Sequence, residues 1–147
     1  MNKEEIYNKL TDKDDKAAYE YMKLIDIESA ISDKYLKAIP IFVSMLEDKN
    51  SYVRTRGFVL ICSQARWAND SQIKDVFNKM IPLLNDPKPT VVRQCLKALH
   101  ELVMFRSEMS DEIIEAINKI DINVYKDSMS PLILKDIEEL KKMIGLT

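Results

Sequence analysis

The sequence has few of the residues from which most chemical sites are built. Its 147 residues include only two glycines, Gly57 and Gly145, and a single histidine, His100. Two distant glycines cannot form a glycine-rich phosphate loop or a dinucleotide-binding fingerprint. One histidine excludes the HExxH motif and His-rich zinc sites, and no GxSxG nucleophile motif is present. We therefore predict no catalytic residues, no metal site and no cofactor, and we expect that the chain is not an enzyme.

Cysteines and long apolar runs are also scarce. Cys62 and Cys95 lie among apolar residues at helical spacing and do not form a CxxC motif, so we expect two buried, reduced thiols. No apolar run approaches the roughly 20 residues that span a bilayer. The first residues lack the apolar segment of a secretory signal. These features predict a cytoplasmic protein with no membrane partner.

What the sequence does contain is helical periodicity. Apolar residues make up 46% of the chain and charged residues 31%, as in ordinary globular domains. Apolar positions recur at i, i+3, i+4 and i+7, which is the pattern of one buried helix face. The clearest run is Ile73, Val76, Phe77, Met80, Ile81 and Leu84. The pattern predicts helices near 2–10, 14–30, 33–47, 51–68, 72–85, 90–106, 110–121 and 131–144.

The predicted helices recur in similar pairs. The segment MLEDKNSYVRTRGFVLI (45–61) aligns with LLNDPKPTVVRQCLKAL (83–99), and Val53-Arg54 lies 39 residues before Val92-Arg93. A weaker third copy starts at Asp127. A period near 40 residues is typical of solenoids built from stacked helix pairs.

This pattern resembles the HEAT repeat, whose unit is two antiparallel helices. The resemblance implies an all-α, right-handed α-α superhelix of the HEAT or armadillo type, with about three helix pairs plus N-terminal helices. We expect one domain, 1–147. It divides into an N-terminal helical cap (1–31), repeat 1 (33–69), repeat 2 (70–108) and a degenerate repeat 3 (109–147), since terminal repeats are commonly atypical.

The resemblance also implies roles for the motif residues. In the HEAT family the aspartate of the turn and the arginine of the Val-Arg pair join neighbouring repeats. Asp48, Arg54, Asp86 and Arg93 would then form a structural ladder, although a ligand-binding role for them stays open. Gly57 takes the place of a small residue that the family uses for close helix packing.

Charge is unevenly distributed along the chain. Residues 51–107 carry a net charge of +5, between segments of −3 (1–50) and −4 (108–147). In a solenoid the second helix of each pair lines the concave face. On helical wheels the candidate binding residues of that face are Arg56, Arg66, Trp67, Gln94, Lys97 and Phe105. Tryptophan beside arginine is favoured at interaction hot spots, whereas a Trp packed at the helix end is the simpler alternative.

These observations favour a non-catalytic scaffold or adaptor that binds a protein or peptide on its concave face. The alternative is a nucleic-acid-binding protein resembling the HEAT-like DNA glycosylases for alkylated bases, in which the basic centre would contact phosphates. A third class, enzyme or maturation factor, rests on HEAT-like bilin lyases and on short solenoids named after iron–sulfur assembly scaffolds. Two isolated cysteines do not supply the four thiolates that a cluster site typically takes.

Overall fold

The computed structural model describes residues 1–145, which contain α-helices, short 3-10 turns and no β-strand. The helices are α1 (Lys3–Leu10), α2 (Asp15–Ser29), α3 (Ile39–Met45), α4 (Ser51–Ser63), α5 (Asp70–Met80), α6 (Pro89–Phe105), α7 (Ser110–Asn118) and α8 (Ser130–Gly145). The 3-10 turns are Leu36–Ala38, Ile81–Asn85, Ser107–Met109 and Ile122–Val124. None of the described helices is both long enough and apolar enough to span a bilayer.

Local side chains fix where the helices begin. The Asp14 carboxylate accepts hydrogen bonds from the first amides of α2, and the Asn50 side chain accepts one from the start of α4. Asn69 and Gln72 form a reciprocal capping box at the start of α5. Pro89 is the first residue of α6, where its missing N–H leaves no helical hydrogen bond unmade. The starts are therefore specified by residues that satisfy otherwise unpaired amides.

The helices stack as successive pairs. Helix α2 packs on α4, α4 on α6 and α6 on α8, and these four form one layer. On the other side α1 packs on α2, α3 on α4, the turn after α5 on α6, and α7 on α8. The prediction of an all-α solenoid of stacked pairs is confirmed. In the described residues the N-terminal segment forms a helix pair of its own, and the repeat boundaries assigned above stay a prediction.

Gly57 marks the closest approach between α3 and α4. A Cβ atom added at this position would lie 2.6 Å from the Phe42 carbonyl oxygen and 3.0 Å from the Met45 Cβ. At the corresponding position of α6 the chain carries Leu96, which is fully buried. The helix at this position therefore packs without a side chain in the α3–α4 pair, whereas α6 buries a leucine there.

Four helices are clearly shorter than the periodicity predicts, and one of them is α7, which was predicted to reach residue 121 and ends at Asn118. The helix predicted over 51–68 ends at Ser63, and residues 64–68 turn away from its axis. The segments predicted as 33–47 and 72–85 each combine an α-helix with a 3-10 turn. Pro82, in the second turn, has no N–H to continue an α-helix. Consequently Arg66 and Trp67 are not on a helix face.

Candidate functional site

Two arginines of the inner layer join neighbouring helix pairs through bidentate ion pairs. Arg54 donates from Nε to Asp86 Oδ2 (2.9 Å) and from Nη2 to Asp86 Oδ1 (3.0 Å). Arg93 donates from Nε to Asp136 Oδ2 (2.7 Å) and from Nη2 to Asp136 Oδ1 (3.3 Å). Both carboxylates are buried, and this paired geometry is the strong form of a charged hydrogen bond.

The ladder expected from the resemblance is thus assembled in a modified form. Arg93 meets Asp136 inside α8 and not an aspartate of a turn, so the partner of Arg93 was missed from the sequence. The Asp48 carboxylate accepts the Asn50 amide at 2.8 Å within its own turn. The Asp48 carbonyl accepts Arg54 Nη1 at 3.0 Å. Asp48 therefore shapes the turn that receives Arg54.

Arg56 does not lie on an exposed arc, contrary to the expectation for a binding residue. Its side chain is only 3% exposed, between α4 and the N-terminal helix pair. It donates from Nη1 to the Leu10 carbonyl (2.9 Å) and from Nη2 to the Asp15 carboxylate (2.8 Å). The last carbonyls of a helix have no partner within the helix, so Arg56 satisfies the end of α1.

Arg66 and Trp67 are used in the same way at the end of α2. Arg66 Nη1 donates to the Ala30 carbonyl (2.7 Å), and Trp67 Nε1 donates to the Ser29 carbonyl (2.7 Å). The Arg66 guanidinium also lies over the Phe105 ring, 4.2 Å from its centre. Both side chains are only partly exposed. The expectation of an open Trp–Arg hot spot is therefore wrong in its geometry, because these groups terminate α2.

Arg106 repeats this arrangement one helix pair later. Its Nε donates to the Ala65 carbonyl just beyond the end of α4 (2.8 Å), and its Nη1 lies 3.5 Å from the Asp70 carboxylate. Arg66 and Arg106 are 40 residues apart, which matches the period of the Val-Arg motif. This spacing is a signal in the sequence for a second set of repeated arginines.

The cations of the basic central segment, residues 51–107, are consequently less available to a ligand than its net charge of +5 indicates. All five arginines of the sequence lie within residues 51–107, and each bonds to a carboxylate or a carbonyl of another part of the molecule. The cations left in this segment are lysines, namely Lys74, Lys79, Lys88 and Lys97.

A groove crosses α2, α4 and α6. It consists of two adjoining hollows of about 620 Å³ and about 470 Å³, and both are lined by Val59 and Gln94. The first hollow is further lined by Tyr19, Tyr52, Thr55 and Thr90, with Arg56 among its lining residues. The second is further lined by Asp26, Arg66, Lys97, Glu101, Met104 and Phe105. Four of the predicted binding residues therefore meet in the second hollow, whereas Trp67 lies outside the groove.

The groove combines exposed apolar groups with few free polar ones. Tyr19, Tyr52 and Met104 are exposed along it. Gln94 and Lys97 are exposed, and within residues 1–145 their side chains make no hydrogen bond or ion pair. Such a surface can hold apolar side chains and offer hydrogen bonds to a polypeptide.

Glu101 is a groove residue whose carboxyl pKa is clearly raised above its ordinary value. Burial raises the pKa of its carboxyl, the nearby Asp26 carboxylate raises it further, and the Arg66 guanidinium opposes both. The Arg66 Nη2 to Glu101 Oε1 distance is 3.9 Å, which is too long for a hydrogen bond. The second hollow therefore contains two like-charged carboxylates, and the nearest guanidinium, that of Arg66, only partly offsets their effect on Glu101.

The cysteines lie away from any reactive arrangement. Cys62 and Cys95 are free thiols in the core. Burial raises the pKa of both thiols well above the ordinary value, and for Cys62 the neighbouring Cys95 adds to the effect. The thiolate is the reactive form, so these environments disfavour nucleophilic chemistry.

A family model matches most of the chain. The model of the family described as non-SMC mitotic condensation complex subunit 1 (Cnd1) matches residues 31–142. The chain belongs to the Cnd1 family. Cnd1 is a HEAT-repeat-containing family, so the resemblance carried by the two Val-Arg motifs is confirmed. The Cnd1 match leaves out α1 and α2. No curated protein and no solved structure matches the chain.

Proposed function

We propose that this Cnd1-family chain is a non-catalytic scaffold that binds a protein or peptide in the groove across α2, α4 and α6. The observation that carries the proposal is the continuity of the groove over three successive inner helices. We take this groove to be the concave face of the solenoid. The description of Cnd1 as a subunit of a complex agrees with a protein partner.

The side chains of the groove suit a polypeptide ligand. Tyr19 and Tyr52 offer large contact areas and lose little conformational entropy on binding, because tyrosine has only two side-chain torsions. Gln94 and Thr55 can hydrogen-bond to a peptide backbone. Lys97 offers one unpaired cation to an acidic side chain of the partner. A ligand held by these groups would combine apolar anchors with few charge contacts.

Nucleic-acid binding is less well supported as the second candidate. A phosphate-binding surface needs exposed cations, and in this chain every arginine bonds within the molecule. Lys16 and Lys97 are the lysines that line the groove. We therefore expect no measurable binding of DNA or RNA at physiological salt.

A capture experiment with matched variants tests the scaffold proposal. The immobilised chain would be exposed to native lysate, and captured proteins would be quantified by mass spectrometry. We expect the double variant Tyr52→Ala, Lys97→Glu to lose at least about 90% of a specific partner, since truncation of interface anchors typically costs tenfold or more in affinity. The control Tyr7→Ala removes an exposed tyrosine outside the groove and should retain that partner.

The two variants separate binding from folding. Both substitutions in the double variant are at exposed positions, so its circular dichroism spectrum and melting temperature should match those of the wild type. Equal capture by the wild type and a folded double variant would exclude the groove as the binding site.

A further inference from the structure

Three helix starts meet at the first hollow of the groove. The hollow is lined by the first turns of α2, α4 and α6, and the shortest of these helices has 13 residues. The second hollow is lined by the later parts of α2 and α6. The three helices therefore run side by side in the same direction. Consequently the positive ends of their dipoles lie at one end of the groove.

The helix starts at this hollow differ in how far their charge is compensated. The Asp14 carboxylate caps α2, and the neutral Asn50 side chain caps α4. At α6 no side chain accepts a hydrogen bond from the first amides, and Thr90, in its first turn, is exposed. A negative charge between the starts of α4 and α6 would therefore be stabilised by two dipoles that no carboxylate of the caps neutralises.

A buried arginine adds positive charge to the same hollow. Arg56 forms part of its wall, although the side chain is only 3% exposed. The terminal nitrogens of Arg56 bond to the Leu10 carbonyl and the Asp15 carboxylate. Within the described part of the chain its Nε is buried without a hydrogen-bond partner. Because charges interact more strongly where water is excluded, this guanidinium attracts an anion that enters the hollow.

Lys16 supplies an unpaired cation to the first hollow. It is exposed, and within residues 1–145 its side chain makes no hydrogen bond or ion pair. The charged residues that line this hollow are thus two cations, Lys16 and Arg56, and one carboxylate, that of Asp15. The first hollow therefore has a net positive charge in addition to the helix dipoles.

The second hollow does not have this excess of positive charge. Its lining includes two cations and two carboxylates, namely Arg66, Lys97, Asp26 and Glu101. It also lies away from the helix starts. An anionic group of a ligand that occupies the whole groove is therefore drawn to the first hollow.

We propose that the groove binds its polypeptide partner with the carboxylate of an aspartate or glutamate in the first hollow. The inference rests on the proposed function, because it names the chemistry of the partner which that function requires. A net charge of one matches a monoanion, whereas a phosphorylated side chain carries about two negative charges at neutral pH. Tyr19 and Tyr52, which are exposed on α2 and α4, provide apolar contacts for the residues beside the carboxylate.

Selection from a displayed library of random short peptides tests the preference for an acidic residue. The immobilised chain would be used as bait, and the selected peptides would be sequenced. The variant Tyr19→Ala, Tyr52→Ala identifies peptides that depend on the groove, since it removes two anchors without changing charge. We expect the groove-dependent peptides to share an aspartate or glutamate.

A charge reversal then places that residue in the first hollow. One selected peptide and its acidic-to-lysine variant would be titrated by fluorescence anisotropy against the wild type and Lys16→Glu. Lys16→Glu should raise the Kd of the acidic peptide at least about fivefold, because attraction becomes repulsion. The lysine peptide should bind Lys16→Glu more tightly than it binds the wild type, a result that misfolding cannot produce.

Lys79→Glu is the control for net charge. It makes the same change at an exposed lysine of α5 that lines neither hollow, so both Kd values should stay as in the wild type. Groove-dependent peptides without a shared acidic residue, or an unchanged Kd in Lys16→Glu, would overturn this inference and leave the scaffold function standing. If no selected peptide depends on the groove, the inference and the proposed polypeptide-binding groove are both wrong.

Discussion

At the scale of single residues, Arg54 holds a carboxylate that is almost out of contact with water. The Asp86 side chain is 5% exposed and receives two hydrogen bonds from one guanidinium. Removing one partner of a buried pair leaves an uncompensated charge, which costs about 3–5 kcal/mol. Arg54 itself is 16% exposed, so water can partly replace it. We expect Arg54→Ala to lower the free energy of unfolding by about 3 kcal/mol in urea titrations.

An exposed ion pair provides the control for this prediction. Lys119 Nζ lies 3.2 Å from Glu115, and both side chains are largely exposed on or next to α7. Lys119→Ala should change stability by less than about 0.5 kcal/mol, as is usual for surface pairs. Arg54→Lys should fall between these values, because an ammonium cannot reproduce the two-pronged contact. If Arg54→Ala were no more destabilising than Lys119→Ala, the pair would not hold the stack together.

The residue scale also shows where sequence reasoning reached its limit. The family resemblance drew attention to Arg54 and Asp86, which the structure brings together. Helical wheels placed Arg56 and Arg66 on an open surface, yet both donate to carbonyls at helix ends. A wheel accounts for apolar burial and takes no account of unpaired carbonyls elsewhere in the fold. Long arginine side chains can reach such carbonyls across a helix pair.

At the scale of helices, Gly57 gives a prediction in which two effects oppose each other. Glycine inside a helix costs about 1 kcal/mol relative to alanine, so propensity alone favours Gly57→Ala. The added Cβ, however, would lie 2.6 Å from a backbone oxygen of α3, which cannot move without shifting that helix. Overpacking costs about 1–3 kcal/mol, and a backbone clash belongs at the upper end. We expect Gly57→Ala to be destabilising by about 2 kcal/mol in net terms.

The other glycine is a matched control for this change. A Cβ at Gly145, the last residue of α8, would meet nothing within 4 Å. Gly145→Ala should therefore be neutral or slightly stabilising in thermal unfolding measured by circular dichroism. A rise in melting temperature for both alanine variants would show that α3 yields easily and that the close approach is not a constraint.

The helices themselves were largely predictable, whereas their ends were not. Apolar periodicity identified all eight described α-helices, because burial of one face dominates their stability. It extended α4 as far as residue 68, although the helix ends at Ser63. Residues 64–68 include Gln64 and Ala65, which are both buried. Ala65 lies four residues after buried Ile61, so the apolar spacing of α4 continues into a segment that is not helical. In the turn that replaces this helix end, Gln64, Arg66 and Trp67 donate hydrogen bonds to residues 29 and 30 at the end of α2, which no helical pattern predicts.

At the scale of the whole molecule, the seam between α2 and α4 differs from the others by its polar contacts. Ser63 donates to the Asp26 carboxylate (2.6 Å), and Gln64 Nε2 donates to the Ser29 hydroxyl (2.9 Å). Within the described residues Gln64 Oε1 and Arg56 Nε are buried without a hydrogen-bond partner. A partly satisfied polar seam contributes less stability than a fully satisfied or apolar one.

This seam also explains what the repeat pattern could not predict. The spacing near 40 residues identified the stacking of α3 to α8, which is the part that the Cnd1 match covers. Residues 1–31 carry no copy of the motif, so nothing in their pattern indicated how they attach. They dock through residues outside the motif, namely Arg56, Ser63, Gln64, Arg66 and Trp67.

The polar seam predicts that the two ends of the stack differ in local stability. Helices α2 and α8 are the outermost inner helices, but α8 is attached by Ile133, Ile137 and Leu140 together with the Arg93–Asp136 pair. Opening of the α2 seam exposes polar groups that water can satisfy, so it should cost less free energy. In hydrogen–deuterium exchange by mass spectrometry, amides of residues 18–25 should therefore exchange faster than those of residues 133–140.

An exposed position on α2 provides a control for this comparison. The Ile27→Glu variant changes the outer surface of α2 and leaves the α2–α4 seam intact, because the Ile27 side chain is 68% exposed. Faster exchange of α2 than of α8 in this variant would assign the difference to the seam itself. Equal or slower exchange of α2 would mean that the buried polar contacts hold the N-terminal pair as firmly as apolar packing holds α8, contrary to the prediction.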